Sequence, residues 1–526
     1  MTQYNTQEFN SRRSPVFARR GIVASAQPLA SLAGMRMLLD GGNAIDAAVA
    51  AAAVLGVVEP YQTGLGGDAF ALLYTARDRR VRALNASGRA PAAARLEDYR
   101  ARGFDVVPRQ SPLAWTVPGC VDGWSQMLAL HGRFSLRDVL RPAIEYAAGG
   151  FPVAPGDARS WKQSEELLRR DPEASRTLLI DDRAPEAGDV VVQPDLARAL
   201  QQVADGGRDA FYQGDVAERL VAYSERIGGL LTLEDLAGYR AEWQEPIGMD
   251  YRGYRVLECP PNGQGIAALL ALSAVAPIDF SAYPRDSPEC WHLMIEATKH
   301  AMMVAQAHVA DPRFADIPIA RLLDETKPPR GWTASSPDAR AYGRSDTVYL
   351  AVTDVEGNAV SFINSVYDDF GSGHVAGGLG FVMQNRGAGF SLDPRHPNAL
   401  APRKRPFHTI IPGMVLHNGD VHLVFGVSGG FMQPQGHLQL LANLIDYGQD
   451  VQTAIDTPRF WWEHGRRVIV EAGVPDATCA TLTAWGHEVV RREHRAMGGG
   501  QIIRALPNRV WVAGSEPRQD GCAIGY

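Results

Sequence analysis

A polar segment that runs directly into a hydrophobic hairpin is the feature of this sequence that most restricts its fold. Residues Glu325–Asp346 hold three prolines and no Val, Ile, Leu, Met or Phe across 22 positions, a composition that cannot contribute much to a packed core. Thr347 then opens the run TVYLAVTD, and a turn at Val355–Asn358 leads to a second run, AVSFI. The sequence therefore predicts a weakly anchored loop followed by two β-strands, the first of which begins with a hydroxyl-bearing residue.

The rest of the chain alternates between patterns typical of helices and of strands. Apolar residues recur at helical spacing over Leu136–Ala148 and Cys290–Val309, and Ala44–Val58 is predicted to be a buried helix that Asn43 caps. Ala69–Tyr74 is predicted to be a strand. With 45% hydrophobic and 21% charged residues among 526, the chain can bury a sizeable core. The pattern predicts an α/β or α+β fold.

Composition and charge argue against several classes of function. The formal net charge is −7 and no Lys/Arg-rich run occurs, which disfavours nucleic-acid binding. The most apolar early stretch is shorter than the roughly 20 residues that cross a bilayer, and the N-terminal residues lack the apolar core of a secretory signal. We therefore expect a cytoplasmic protein with no membrane partner. The five cysteines form no CxxC pair and the histidines no HExxH motif, so we expect no metal and no cofactor.

Thr347 is a candidate nucleophile because of its position. A threonine hydroxyl reacts poorly by itself, but if the chain is cut just before it, the new α-amine, with a pKa of about 8, can accept the hydroxyl proton. Nucleophile and base then belong to one residue. The alternative is that Thr347 is a β-branched residue that merely opens a strand, and position alone leaves both interpretations open.

A second candidate lies at Gly426–Gly430, which contains the pattern G-x-S-x-G between a predicted strand and a helical pattern. This is the context of a nucleophile elbow, with Ser428 as nucleophile. The residues that could complete a triad with it are Asp446, Asp456 and His487. In a competing interpretation, the backbone amides of Gly429 and Gly430 stabilise an oxyanion. Spacing alone does not decide between them.

Eight motifs are spread over most of the chain: GGNAIDAAVAAA from residue 41, GLGGDAF from 64, VPGCVDGW from 117, PPNGQG from 260, GNAVSF from 357, FGSG from 370, RP at 405 and SGG at 428. Together they resemble the γ-glutamyltransferase family of N-terminal-nucleophile hydrolases. The resemblance implies a four-layer αββα sandwich, without a cofactor, that is made as an inactive precursor and cuts itself before a threonine. Counting back from GNAV puts that cut between Asp346 and Thr347.

The resemblance also implies how the products and the site residues are used. The fragments 1–346 and 347–526, of 346 and 180 residues, would form one αββα domain as a heterodimer, or a dimer of heterodimers. Ser365 matches a second hydroxyl that supports the nucleophile, a position where Thr is usual. Gly429 and Gly430 match the paired glycines of the oxyanion hole, which makes Ser428 a turn residue.

The substrate-binding motifs depart from the family pattern. Ser87 stands where the family has an arginine that holds the glutamate carboxylate, and the segment Gln384–Ser391 lacks the acidic residues that hold the amino group. Each such charge-assisted hydrogen bond is worth roughly 1.5–3 kcal/mol, so we expect glutathione to bind poorly. Tyr367 replaces an asparagine of the substrate wall, and His408–Thr409 replaces a pair of serines.

Two arginines, Arg386 and Arg89, lie near the altered motifs. A guanidinium suits a carboxylate, so they favour an anionic acyl group, and the bulk of Tyr367 favours a small one. The alternative for each arginine is a structural ion pair. The variant motifs resemble the non-γ-glutamyl branch of the family, which includes oxamate amidohydrolase and cephalosporin-acylase-like members.

The function predicted from the sequence is hydrolysis of a small carboxylate-bearing amide through an acyl-threonine, and the specific substrate we predict is oxamate, which would give oxalate and ammonia. One alternative is a γ-glutamyltransferase or glutathione hydrolase. An alternative of another class is an unprocessed, non-catalytic binding protein.

Overall fold

The computed structural model describes residues 13–337, 347–492 and 497–526. The strands within these residues are, in chain order, β1 Val16–Ala18, β2 Ile22–Ser25, β3 Asp68–Thr75, β4 Arg80–Ala86, β5 Phe151–Pro152, β6 Val190–Val191, β7 Glu242–Gln244, β8 Ile247–Tyr251, β9 Tyr254–Glu258, β10 Val348–Thr353, β11 Ala359–Ser365, β12 Gly413–His417, β13 Asp420–Val427, β14 Phe460–His464, β15 Arg467–Glu471, β16 Glu488–Arg492, β17 Gly500–Leu506, β18 Val510–Ser515 and β19 Cys522–Gly525.

The α-helices within the same residues are α1 Pro28–Leu39, α2 Ala44–Val58, α3 Leu96–Ala101, α4 Cys120–His131, α5 Leu136–Gly149, α6 Pro155–Leu168, α7 Pro172–Leu178, α8 Pro194–Tyr212, α9 Asp215–Arg226, α10 Leu233–Ala237, α11 Gly265–Val275, α12 Pro288–His308, α13 Ile319–Glu325, α14 Met432–Leu441, α15 Val451–Asp456 and α16 Asp476–Ala484.

Two seven-stranded sheets organise the described part of the chain. The first sheet has the order β1-β18-β17-β13-β12-β9-β8, and the second has the order β19-β2-β10-β11-β3-β4-β7. Neighbouring strands are antiparallel throughout both sheets. A three-stranded sheet (β14-β15-β16) and a two-stranded one (β5-β6) lie outside this pair.

The two large sheets lie face to face between two layers of helices. Along β10, Val348, Leu350 and Val352 belong to the core shared with α1, α2, α4, α5 and α8, whereas Tyr349 and Ala351 belong to the core between the sheets. Successive side chains of a strand point to opposite faces, so this strand is buried on both. Helices α11, α12 and α14 cover the outer face of the first sheet. The predicted four-layer αββα sandwich is confirmed.

The alanine-rich helix α2 forms as its sequence predicts. Asn43 Oδ1 accepts a hydrogen bond from Asp46 N (3.3 Å), and Asp46 Oδ2 accepts one from Asn43 N (2.8 Å), which together make a capping box. All 15 residues of the helix are buried, because small side chains let it pack closely against α1, α5 and the second sheet.

One edge of the sandwich gathers strand ends from both sheets. In the second sheet Thr347 precedes β10, and Ser365 at the end of β11 pairs with Asp68 at the start of β3. Across the core, the ring of Tyr349 packs on Gly426 of β13, where a Cβ would fall 2.4 Å from the ring. Because β10 runs away from this edge and β13 runs toward it, Thr347 and the turn after β13 lie at the same end of the sandwich.

The polar segment before Thr347 is better anchored at its start than its composition indicates. Trp332 stacks on Trp485 with ring centroids 5.0 Å apart, and the carbonyl of Ser335 accepts a hydrogen bond from Lys299 Nζ at 2.8 Å. The predicted cleavage residue Asp346 lies outside the described residues. Among the helices that are described, none combines the length and the apolar character that a membrane span requires.

Candidate active site

The site is built around two hydroxyls at the edge where both sheets end. Thr347 Oγ1 donates a hydrogen bond to Ser365 Oγ at 3.0 Å, and both residues are fully buried. The pairing of β10 with β11 fixes this contact, since Val348 lies opposite Asn364 in the register. The structure therefore brings together the predicted nucleophile and the predicted supporting hydroxyl.

Arg386 meets these hydroxyls directly. It opens a short 3₁₀ turn, Arg386–Gly389, and is completely buried. Its Nη2 donates to Ser365 Oγ at 3.1 Å and its Nη1 donates to Thr409 Oγ1 at 2.7 Å. Its buried Nε has no hydrogen-bond partner among the described residues. Burial lowers the pKa of Arg386 to about 10, so the guanidinium remains charged at neutral pH.

The ring of Tyr367 contacts two guanidinium groups. Arg386 lies 4.1 Å from its ring centroid and Arg109 lies 5.0 Å from it. Arg109 is bound by the carboxylate of Asp368, with Nε to Oδ2 at 2.7 Å. Tyr367 has φ +84°, a backbone conformation that is costly for a residue with a Cβ and that concentrates at functional sites. Its amide donates to Ser365 Oγ at 2.9 Å.

The buried carboxylate of Asp68 accepts hydrogen bonds from several loops of the site. Its Oδ1 accepts hydrogen bonds from Gly88 N (2.9 Å), Gly119 N (3.1 Å) and Gln384 Nε2 (2.8 Å). Its Oδ2 lies 3.1 Å from His408 Nε2. His408, predicted to bind substrate, therefore directs its ring at Asp68.

The protonation of His408 follows from its contacts. Its Nδ1 accepts a hydrogen bond from Ile410 N at 3.3 Å, so the ring proton is on Nε2 and is donated to Asp68. Burial, and after it the nearby charge of Arg386, lower the pKa of His408 to about 3. The ring is neutral and acts as a hydrogen-bond donor.

Gln264 connects this arrangement to the glycine turn. Its Nε2 donates to the carbonyls of Thr409 (2.6 Å) and Gly430 (2.9 Å). Gly429 and Gly430 have φ values of +104° and +59°, which glycine adopts without strain, and α14 begins immediately afterwards. Within the part of the chain that the structure describes, neither of their amides donates to a backbone acceptor.

The strand and helix expected around a nucleophile elbow are present, but the elbow interpretation is wrong for this fold because its triad does not assemble. Ser428 Oγ accepts hydrogen bonds from Gly499 N (3.0 Å) and Gln519 Nε2 (3.1 Å). The candidate triad partners bond elsewhere, in the pairs Asp446–Arg252, Asp456–Gln452 and His487–His292.

Arg89 is not brought to the two hydroxyls. Its guanidinium pairs with Glu242 and lies 3.9 Å from Asp311, which is the ion-pair alternative. Ser87, at the position of the family arginine, donates its hydroxyl to Asn85 Oδ1 at 2.7 Å. The segment that carries the family's substrate clamp therefore holds neutral hydrogen bonds and internal ion pairs here.

A second cluster of polar side chains, away from the site, escaped the sequence analysis. Ligand atoms of His292, Glu296 and His487 lie within 4.8 Å of one another, a spacing that could hold a metal ion. Lys299 Nζ, however, lies 2.7 Å from Glu296 Oε1 and 3.5 Å from His487 Nδ1. The ammonium group is the cation that this cluster holds, so we assign no metal to it.

Asp68 and Gln264 are the site residues that the sequence analysis missed. Both lie in motifs that it singled out, GLGGDAF and PPNGQG. The sequence does indicate one of them, because Asp68 is a charged residue at the start of an apolar strand, and all eight residues of that strand are buried. Such a carboxylate needs buried donors.

The model of the family described as gamma-glutamyltranspeptidase matches residues 30–526. The chain belongs to this family. It is 41% identical to the glutathione hydrolase-like YwrD proenzyme of Bacillus subtilis, over 97% of this chain and 99% of that one. It is 37% identical to the oxamate amidohydrolase proenzyme of Klebsiella pneumoniae, over 96% and 98% of the two chains.

The fold of this family member also matches a solved structure along its whole length. The crystal structure of a cephalosporin acylase from Bacillus halodurans superposes with a TM-score of 0.95 at 42% identity, covering 100% of this chain and 99% of that one. The resemblance to γ-glutamyltransferases that the sequence motifs indicated is confirmed, and the relatives named above include proenzymes and enzymes of amide hydrolysis.

Proposed function

We propose that this chain is an autoprocessed amidohydrolase that cleaves a small, carboxylate-bearing amide through an acyl-threonine intermediate. Membership of the family and the proenzyme relatives support the class of enzyme. The observation that carries the proposal is the contact of a buried arginine with the hydroxyl that touches Thr347, because it joins a candidate nucleophile to a group that binds carboxylates.

The proposed reaction begins after a cut between Asp346 and Thr347. The freed α-amine takes the proton of the Thr347 hydroxyl as its oxygen attacks the amide carbon, and then passes that proton to the departing amine. The amides of Gly429 and Gly430 stabilise the tetrahedral oxyanion. Water hydrolyses the ester by the reverse sequence of proton transfers. Ser365 holds the Thr347 oxygen in place.

Arg386 limits the length of the acyl group. Because Nη2 and Thr347 Oγ1 both contact Ser365 Oγ, they lie within about 6 Å of each other. A carboxylate held by Nη2 and the unpartnered Nε would then be separated from the scissile carbonyl by no more than about two carbons. Tyr367 closes the site against larger groups. Oxamate, in which the carboxylate is bonded directly to the amide carbonyl carbon, is the substrate we favour, with oxalate and ammonia as products.

The same geometry disfavours a γ-glutamyl donor. The α-ammonium of such a donor needs an acidic partner, and the segment that supplies it in the family places the cation of Arg386 here. Two positive charges in a buried site repel each other strongly. Ser87 offers a neutral hydroxyl in place of the arginine that would hold the glutamate carboxylate.

The fragments produced by the cut would remain together as a heterodimer. In the second sheet β10 and β11, after the cut, are paired with β2 and β3, before it. Both fragments therefore supply strands to one continuous sheet, and separating them would break its hydrogen bonds and expose its core.

Steady-state hydrolysis of two substrates tests the proposal. Purified protein is assayed for ammonia release from oxamate and for aniline release from a γ-glutamyl anilide, and an Arg386→Gln variant is assayed in the same way. We expect oxamate to be preferred, and we expect Arg386→Gln to raise KM by at least about tenfold, the loss of one charge-assisted interaction. Efficient γ-glutamyl hydrolysis without oxamate hydrolysis would overturn the substrate assignment.

A further inference from the structure

Self-cleavage poses a chemical difficulty that turnover does not. In the precursor the nitrogen of Thr347 is part of the peptide bond to Asp346, so it is not a basic amine and cannot accept the hydroxyl proton at the start of the reaction. Another group must make the Thr347 oxygen reactive in this first event. The inference drawn here rests on the proposed function, because it concerns the cut that creates the nucleophile.

Ser365 Oγ is the point at which several donors converge. Three groups lie within hydrogen-bond distance of it: the Thr347 hydroxyl (3.0 Å), the Tyr367 amide (2.9 Å) and Nη2 of Arg386 (3.1 Å). When the N–H groups of Tyr367 and Arg386 occupy its two lone pairs, the Ser365 hydroxyl becomes a stronger donor, and it can turn its own proton toward the Thr347 oxygen as that oxygen loses its proton. The positive charge of Arg386 therefore favours loss of the proton from the Thr347 oxygen, and it acts through the hydrogen bonds of one intervening hydroxyl, that of Ser365.

No carboxylate of the described residues is hydrogen-bonded to Arg386, although those of Asp68 and Asp368 act on its charge from a greater distance. Among the described residues its hydrogen-bond acceptors are the hydroxyls of Ser365 and Thr409, and its ring contact is Tyr367. Arg109, the second cation in contact with the same ring, differs because Asp368 pairs with it and its side chain is 44% exposed. A buried cation without a carboxylate stabilises a developing alkoxide nearby more effectively than a paired, hydrated one.

We propose that Arg386, acting through Ser365, is a positioning residue that activates Thr347 for self-cleavage, before any substrate is present. The Thr347 oxygen attacks the carbonyl carbon of Asp346, and a C–O bond forms. The hydroxyl proton moves to the Thr347 nitrogen as the C–N bond breaks, which leaves an ester and a free amine. Water then hydrolyses the ester to the Asp346 carboxylate and the Thr347 hydroxyl. The guanidinium is unchanged throughout.

This role is separable from substrate binding. An arginine that only holds a substrate carboxylate has no part in a reaction of the chain with itself. If Arg386 served substrate alone, its replacement would abolish hydrolysis of small amides and leave the cut unaffected. The rate of self-cleavage therefore distinguishes the two roles.

The test compares the full-length precursors of wild type, Arg386→Gln, Arg386→Lys and Arg109→Gln, made by cell-free synthesis so that time zero is defined. Conversion of the 57.0 kDa chain to two fragments is followed on denaturing gels at several pH values. Arg109→Gln removes the other positive charge in contact with the Tyr367 ring and serves as the matched control. Thermal unfolding of each precursor shows which variants fold.

We expect Arg386→Gln to slow self-cleavage at least about tenfold, the effect of one pKa unit on the reactive alkoxide. Its rate should recover as the pH rises, because hydroxide then replaces the lost activation. Arg386→Lys, which keeps the charge, should be intermediate, and Arg109→Gln should cut within about twofold of wild type. If Arg386→Gln does not fold, the Arg386→Lys precursor and its pH profile test the same claim.

Two results would overturn this inference. One is an Arg386→Gln precursor that cuts at the wild-type rate while losing oxamate hydrolysis, since Arg386 would then serve substrate alone. The other is equal slowing in Arg386→Gln and Arg109→Gln without a shift of the pH profile, which would reveal a loosened loop. A wild-type chain that never cuts would instead contradict the proposed function itself.

Discussion

Nη2 of Arg386 donates a hydrogen bond to Ser365 Oγ at 3.1 Å. The same oxygen contacts the hydroxyl of Thr347, so a single hydroxyl separates a buried cation from the candidate nucleophile. The proposed substrate preference rests on this arginine, which lies in the segment where the family resemblance implies acidic residues, while the two hydroxyls stay in contact.

The pH dependence of oxamate hydrolysis should be bell-shaped. The α-amine of Thr347 must be unprotonated to act as base, so kcat/KM rises as the pH passes its pKa, about 8 for an unperturbed amine. Arg386 must be protonated to hold the carboxylate, and its pKa is lowered by burial to about 10, so activity falls above that pH. A profile that keeps rising through pH 11 would contradict the role of Arg386.

Replacing Ser428 with alanine should leave both self-cleavage and hydrolysis in place. Its hydroxyl accepts hydrogen bonds from Gly499 and Gln519, so we expect a loss of about 1 kcal/mol in stability and a change in kcat of less than about tenfold. Thr347→Ala is the comparison, and it should abolish both reactions. Gel analysis and ammonia release measure them, and an inactive Ser428→Ala enzyme that folds normally would revive the elbow interpretation.

Gly429→Ala should lower kcat with little effect on KM. At φ +104° an added Cβ would be strained and would fall 3.0 Å from Gly498 Cα, so the amide moves away from the oxyanion. Loss of one oxyanion donor costs roughly 10²-fold in kcat. Gly228→Ala is the matched control, because Gly228 also has positive φ, +80°, but has open space around it. Equal kcat in the two variants would refute the oxyanion role.

Asp68→Asn should destabilise the protein by about 2 kcal/mol, measured as the free energy of unfolding in urea. The new amide would face the Nε2–H of His408, so two buried donors would meet without an acceptor. Asp420→Asn is the control, because Asp420 is 67% exposed in its pair with Arg79 and should cost about 0.5 kcal/mol or less. Similar losses in both variants would show that Asp68 does not tie the loops together.

The sequence predicted the elements whose patterning is local. The helix Ala44–Val58 and the strand around Ala69–Tyr74 were expected within a residue of their bounds, because apolar periodicity and Asn43 specify them directly. The sandwich itself came from the resemblance of motifs to a family. Thr347 and Ser365 were expected to act together on the same basis, and the register of β10 and β11 brings them into contact.

What the sequence could not indicate is which distant side chains share a loop cluster. In the sequence, Arg89 and Arg386 look alike because each lies next to an altered motif. Only their contacts in the folded protein distinguish them: Arg89 forms an ion pair with Glu242, whereas Arg386 donates hydrogen bonds to two hydroxyls. Trp332 belongs to a segment with few apolar residues, yet its ring stacks on that of Trp485, which is more than a hundred residues away in the sequence. Such contacts depend on the fold as a whole.

Intact-mass analysis with N-terminal sequencing of the purified protein tests the central claim most directly, because it locates the cut without assuming a substrate. We expect two fragments from the 57.0 kDa chain. The smaller fragment should have 180 residues and should begin with Thr-Val-Tyr-Leu at Thr347. A chain that stays intact under all conditions, or a smaller fragment that begins at another residue, would contradict Thr347 as the nucleophile.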